Sequence, residues 1–266
     1  MKISFMSFST PELSLEEMLN LAADLGYEGI EPRLDSEHAH GVEVAADAEA
    51  RAAIRDAVAG SDTELACLAT SCRYADPEQR EQMVADTLER IDLAADVGAP
   101  CIRVFGGTFP EELSREDAVA GVAECLSAVA GRAAERGVTV CMETHDAWCD
   151  PQHVAEVMQR VGHPAVGVNW DIMHPVRMGL AGIDESFEVL EPWVRHLHIH
   201  DGDFSGDGLQ LVPIGEGGVD HRRAIELLAG SGYDGFLSGE WINWEPHEQH
   251  LPREIATLRN YERELG

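Results

Sequence analysis

VTVCMETHDAWCDPQHVAEVMQRVGHPAVGVNWD (138–171) is a strand, a helix and a second strand in one piece of chain. Runs 138–144 and 166–171 are short and rich in β-branched residues, whereas 151–161 carries apolar residues at helical spacing, so the stretch reads as one βαβ unit. Each strand ends on an acid, Glu143 and Asp171, 28 residues apart. That is about the length needed to leave one parallel strand, cross over through a helix and return to the same rim. Downstream, RHLHIHD (195–201) and FLSGEW (236–241) continue the pattern, with His198 27 residues beyond Asp171 and Glu240 42 beyond His198. Upstream, strands are expected near 2–8, 28–33, 64–71 and 101–106. Helices are expected near 14–25, 44–59, 78–97, 112–136, 151–161, 181–190, 219–231 and 252–264. Eight such cycles over 1–266 predict an α/β protein, a (β/α)8 TIM barrel forming a single domain.

Local signals agree with several boundaries. Ser14 stands three residues before Glu17, ahead of Leu15, Met18, Leu19 and Ala22, as in a capping box, and Gly26 supplies the stop. Asp76-Pro77 marks the start of the third helix, with Asp as cap and Pro at the first helical position. ADLGYEGIE (23–31) and LAGSGYDGFLSGE (228–240) look alike, each a helix end, a glycine turn and a strand closing on Glu, as repeated βα units would be. Segments 35–47 and 202–220 are long for barrel loops and rich in turn formers, which suits lids or binding loops.

Composition narrows the partners. Against 49 acids stand 19 basic residues, for a formal net charge of -30, and the single lysine is Lys2. Such a field repels polyphosphate and anionic lipid, which are normally held by clustered Lys and Arg, so neither nucleic acid nor a membrane is expected as a partner. The acidic, lysine-poor surface resembles that of halophilic proteins, whose self-repulsion is screened over a few ångströms by concentrated salt. Lysine scarcity also disfavours Schiff-base and pyridoxal phosphate chemistry, because Lys2 opens the first strand, at the barrel end remote from catalysis. Cys67, Cys72, Cys101, Cys125, Cys141 and Cys149 form no CxxC pair and several lie in apolar runs, as reduced cytoplasmic thiols do. No apolar run approaches a membrane span of about 18 residues, and the N-terminus lacks the form of a cleaved signal. A cytoplasmic chain, free to form a homo-oligomer, is expected.

The chemistry gathers at four strand ends: Glu143, Asp171, His198 and Glu240. Their spacing sets them on adjacent strands at the carboxyl-terminal rim, where active sites of this architecture are built. Strand alternation puts Cys141, Glu143 and His145 on one face, as it does Asn169 with Asp171, His196 with His198 and His200, and Ser238 with Glu240. Val168, Leu197, Ile199 and Leu237 face the helices instead. A polar interior needs partners, and a metal ion supplies one. Three carboxylates and an imidazole favour one divalent ion, Mn²⁺ or Mg²⁺, with Co²⁺ or Zn²⁺ as alternatives. A lone strand-end acid is more often a cap or surface charge; four at barrel-unit spacing are not so easily dismissed. His145, His174 and His200 are assigned to substrate binding, with a hydrogen-bonded structural histidine as the plainer alternative.

CMETHD (141–146), VNWDIMH (168–174), RHLHIHD (195–201), PIGEGGVDHRRAIELLAGSGYDG (213–235) and SGEW (238–241) together resemble the xylose isomerase-like barrels. That family includes sugar epimerases, hydroxypyruvate isomerase, inosose dehydratase and metal-dependent apurinic endonucleases. The resemblance spans nearly the whole chain. It implies that Glu143, Asp171, His198 and Glu240 are metal ligands, that the two glutamates double as catalytic acid and base, and that His174 contacts substrate. Departures are informative. Phe204 stands where ketose epimerases carry arginine, and His200 where many relatives have lysine. LATSC (68–72), RVFGG (103–107) and Asp201-Gly-Asp203 lack the extra histidines of the three-zinc endonucleases.

The expected function is a metal-dependent isomerase or epimerase of a small sugar, sugar phosphate or hydroxyketone, working through an enediolate. An inosose-type dehydratase, which loses a β-hydroxyl from the same enediolate, is the alternative. An endonuclease is disfavoured by the charge and the missing histidines, and a non-catalytic metal or sugar-binding barrel by the paired glutamates. No clear phosphate cradle is present in the sequence; Gly215-Glu-Gly-Gly218 before a helix is only weak evidence for one.

Overall fold

In the computed structural model, which describes residues 1–206 and 208–265, strands and helices alternate along the chain. The strands are β1 (Lys2–Met6), β2 (Gly29–Glu31), β3 (Glu64–Leu65), β4 (Leu68–Arg73), β5 (Cys101–Phe105), β6 (Thr139–Glu143), β7 (Val166–Asp171), β8 (Val194–Ile199), β9 (Asp201–Asp203), β10 (Gln210–Val212) and β11 (Phe236–Gly239). The helices are α1 (Leu15–Leu25), α2 (Ala48–Ala59), α3 (Arg80–Val97), α4 (Arg115–Arg136), α5 (Pro151–Val161), α6 (Met173–Arg177), α7 (Ile183–Leu190), α8 (His221–Ser231) and α9 (His247–Leu265). Nine strands run in the order β3-β2-β1-β11-β8-β7-β6-β5-β4, every neighbouring pair parallel. This is the expected TIM barrel.

The ninth strand arises because the third barrel strand is in two pieces, β3 on β2 and β4 on β5. Pro32 accounts for the break. It offers a carbonyl to Ala69 N at 3.0 Å but has no N–H to return. The seam is closed by Ala66 N to Ile30 O at 2.9 Å, Leu34 N to Ala69 O at 2.9 Å, and the parallel bridge between Arg33 and Ala69.

Helix boundaries follow their caps. The box at α1 is formed in both directions, Ser14 Oγ accepting from Glu17 N and Glu17 Oε2 from Ser14 N, and Gly26 takes φ 84° to end the helix. Asp150-Pro151 starts α5, with the carboxylate accepting from Gln152 N. Asp76-Pro77 does not start α3. Asp76 accepts from Glu78 N and Gln79 N in a turn, and the helix begins at Arg80. At the other end, α9 begins at His247, ahead of the expected 252, because Pro246 O already accepts from Gln249 N and His250 N and Pro252 is carried within the helix.

The outer face of the sheet is apolar. Leu197, Ile199 and Leu237 meet Ile172, Ala224, Ile225, Leu228 and Leu258 from the surrounding helices and loops. Burying each such aliphatic side chain contributes about 1.5–3 kcal/mol. The inner face is different: Cys67, Cys101 and Cys141 cluster low in the barrel, and Ser4, Asn169, Ser238 and Arg103 are buried above or beside them. All six cysteines are buried and free of disulfides. No helix among the described residues is long and apolar enough to cross a membrane.

Of the two long loops, 202–220 contains the antiparallel hairpin of β9 and β10. Its base is organised by Asp201, whose carboxylate accepts from the backbone N–H of Gly202, Gly215, Gly217 and Val219. A Cβ at Gly217 would sit 2.3 Å from Asp201 Oδ1, so only glycine allows this approach. The glycine-rich 215–218 turn therefore spends N–H groups on an internal carboxylate and not on a phosphate, for which its sequence was only a weak sign.

Candidate metal centre

Strand register assembles the four anticipated groups. Asp171 on β7 is level with His198 on β8, which is level with Ser238 on β11, two residues before Glu240; Glu143 ends β6 beside Asn169 of β7. One ligating atom from each of Glu143, Asp171, His198 and Glu240 lies within 4.8 Å of the other three. Glu143, Asp171 and His198 are 0% exposed and Glu240 6%, so the cluster is closed on the barrel side and reached from the mouth.

These charges lean on one imidazole. His198 Nδ1 is 2.8 Å from Glu143 Oε1 and 3.4 Å from Glu240 Oε2, and Nε2 is 3.1 Å from Glu31 Oε1. Burial opposes a charge on His198, but Glu31, Glu143 and Glu240 outweigh it and hold its pKa well above the ordinary value. Burial likewise raises Asp171, yet His174 and His200 more than offset it and the carboxyl titrates far below its usual range. Glu240 is brought down to about 2, with burial resisting and His198 the main attraction.

Direct hydrogen bonding does not satisfy this cluster. Glu143 Oε2 and Asp171 Oδ2 are buried without a hydrogen-bond partner among the described residues. Arg103 Nε lies 3.3 Å from the first and His200 Nε2 2.9 Å from the second, but neither is oriented to donate. Asp171 Oδ1 is fixed by the N–H groups of Met173 and His174 at 2.9 and 3.1 Å, leaving Oδ2 to face the cluster. Buried oxygens in want of a cation, arranged around an imidazole, fit a divalent ion with oxygen preference.

Above the cluster is a cavity of about 280 Å³, bounded by His145, His174, Arg177, His200 and Glu240 and by the apolar Leu209, Leu211 and Ile242. The three histidines assigned to substrate thus share its wall. The rings of His145 and His174 are 4.5 Å apart and those of His174 and His200 5.5 Å. Although burial pulls His145 down, Asp146 at 2.8 Å from its Nδ1 and the nearby Glu143 push it up to about 9. His174 goes the other way, burial prevailing over Asp171. Phe204 packs onto the hydrophobic core.

Three residues escaped the sequence reading. Arg177, on the short α6 that follows Asp171, lines the cavity. Arg103, 1% exposed, donates to Thr70 O at 2.8 Å and stacks 4.0 Å from the Phe105 ring centre; its signal was a lone charge inside the apolar run CIRVF. Glu31 closes β2, and its signal was the repeated phrase that aligns it with Glu240.

Residues 19–261 match the model of the xylose isomerase-like TIM barrel. The chain belongs to that family. Among curated relatives is an L-ribulose-5-phosphate 3-epimerase of Salmonella paratyphi B, 25% identical over 254 residues, 92% of this chain and 87% of that protein. Another is a 3-dehydroshikimate dehydratase of Bacillus anthracis, 27% identical over 144 residues, 48% of this chain and 50% of that one. A solved xylose isomerase-like protein of Mycobacterium smegmatis, in complex with magnesium, superposes with a TM-score of 0.76 at 18% identity, covering 100% of this chain and 98% of that. Family membership supports an enzyme of the sugar isomerase and epimerase kind.

Proposed function

We propose that this barrel is a divalent-metal-dependent isomerase or epimerase of a small hydroxyketone or sugar. The observation that carries the proposal is the convergence of Glu143, Asp171, His198 and Glu240 within 4.8 Å beneath a polar-walled cavity. When bound, an ion such as Mn²⁺ or Mg²⁺ supplies Lewis acidity to adjacent substrate oxygens. Glu143 and Glu240, on separate strands, exchange a proton at carbon, one taking and one returning it. Arg103 and His198 hold Glu143 in place. His145, His174 and His200 present ring nitrogens to hydroxyl groups, while Leu209, Leu211 and Ile242 supply the apolar part of the lining.

Incubation with substrate in heavy water should place deuterium on the carbon next to the carbonyl, and Glu143→Gln or Glu240→Gln should cut turnover by about 10²-fold or more. Turnover without exchange would exclude the two-glutamate proton transfer. Dehydration is favoured as a second reaction by His145, which stands in the cavity wall with Asp146 at its back and can protonate a departing hydroxyl. Release of water with formation of an unsaturated product identifies that outcome.

A further inference from the structure

Glu31 does not border the cavity, yet it is 0% exposed and both of its oxygens are engaged. Oε2 lies 2.8 Å from Nε2 of His196 and Oε1 3.1 Å from Nε2 of His198. An ionised carboxylate only accepts, so both Nε2 atoms carry hydrogen. The other nitrogen of His198, Nδ1, faces Glu143 at 2.8 Å and Glu240 at 3.4 Å; with Nε2 keeping its hydrogen against Glu31, Nδ1 is the nitrogen that gives up its proton when an ion takes the place between them.

We propose that Glu31 is the positioning residue of the metal centre: by accepting from His198 Nε2–H it sets the tautomer and plane of the ring so that Nδ1 presents its lone pair to the ion. His196, from the same strand as His198, holds Glu31 in turn. The inference rests on the centre proposed above and adds a role for a residue outside it. Carboxylates behind a ligating imidazole raise its basicity and restrict its rotation, and their loss costs about 10–100-fold in metal affinity. Glu31 is suited to this because it reaches His198 from β2 inside the barrel, with both side chains 0% exposed. Glu31, His196 and His198 also approach within 4.8 Å of one another, but that group has no member in the cavity lining, whereas Glu240 of the other has, and one imidazole edge cannot both donate to Glu31 and bind an ion there.

The test is Mn²⁺ titration calorimetry on the full chain, with Glu31→Leu, Glu31→Gln and His198→Ala singly and combined. Wild type should bind one ion and Glu31→Leu about 10–100-fold more weakly. Glu31→Gln keeps an oxygen acceptor without the charge, and charge-assisted bonds are about twice as strong, so its loss should be smaller but at least about threefold. In the His198→Ala background, Glu31→Leu should cost no further affinity, because its effect passes through that ring. Wild-type affinity in Glu31→Gln overturns the proposal even if Glu31→Leu does not fold. So does an equal loss with and without His198, which marks a general structural role, or a second Mn²⁺ per chain that disappears with His196→Ala. Failure of wild type to bind Mn²⁺ overturns the centre itself.

Discussion

Mn²⁺ should raise the melting temperature of this protein by several degrees, and Asp171→Ala or His198→Ala should remove most of that rise. In the folded chain Glu143, Asp171 and His198 are wholly buried and Glu240 nearly so, whereas unfolding disperses the four over 98 residues of sequence from 143 to 240. An ion that binds only the assembled group stabilises the fold by about 2.7 kcal/mol at a hundred times its Kd and about 4.1 at a thousand times. For 266 residues the unfolding entropy near the midpoint is roughly 0.56 kcal/mol per kelvin. The midpoint should therefore move by about 5 °C and about 7 °C at those two concentrations. Thermal melts followed by circular dichroism during a Mn²⁺ titration measure this directly. A net charge of -30 also attracts divalent ions to the surface at large, so the titration belongs in molar KCl, where the Debye length is about 3 Å and diffuse binding is suppressed. Equal shifts in wild type and both variants would show that the stabilisation comes from the acidic surface and would refute the assignment. No shift in wild type at saturating Mn²⁺ would refute it as well.

Further outcomes follow from particular contacts. Glu143→Gln and Glu240→Gln should retain most of the Mn²⁺-dependent shift, since an amide oxygen still faces the ion, while steady-state turnover on the identified substrate falls by about 10²–10⁴-fold. Arg103→Met breaks an ion pair whose members are 1% and 0% exposed, and denaturant titration in EDTA should show a loss of about 3–5 kcal/mol that Mn²⁺ partly restores. His40 is neutral in the fold, because burial lowers its pKa to about 4 and its Nδ1 accepts from Val42 N. The unfolded chain then takes up the proton first as pH falls, so stability is complete above about pH 6.5 and declines toward pH 4 by about 1.4 kcal/mol per unit. Urea midpoints in His40→Gln should be flatter across that window. Gly106→Ala would drive a Cβ to 2.3 Å from the Trp148 ring and should cost about 1–3 kcal/mol by thermal or urea unfolding.

Patterning made the barrel legible: each expected strand and helix overlaps one in the structure, though some ends shift and the short α6 was not foreseen, because alternation and amphipathic spacing are local properties of the chain. The misplacements come from groups whose effect depends on a neighbour. Pro32 breaks β3 from β4 only because the third strand needs its missing N–H, and Asp76 caps a turn although its identity suits a helix. The same division runs through the site. Glu143, Asp171, His198 and Glu240 could be picked out from sequence since unit-length spacing puts strand ends on one rim. Arg103 and Glu31 could not, because a charge inside a strand is ambiguous until the barrel closes and shows what it faces. Family and architecture were thus determined by the sequence alone, through the periodicity of its apolar residues and its motifs. Only the tertiary structure decided that Glu31 and His196 stand behind His198, that Asp201 consumes the glycine-rich turn, and that three histidines share one cavity wall. Those relations join residues as far apart as 31 and 198, and distance across a barrel is set by strand tilt and closure, which no local run of sequence encodes.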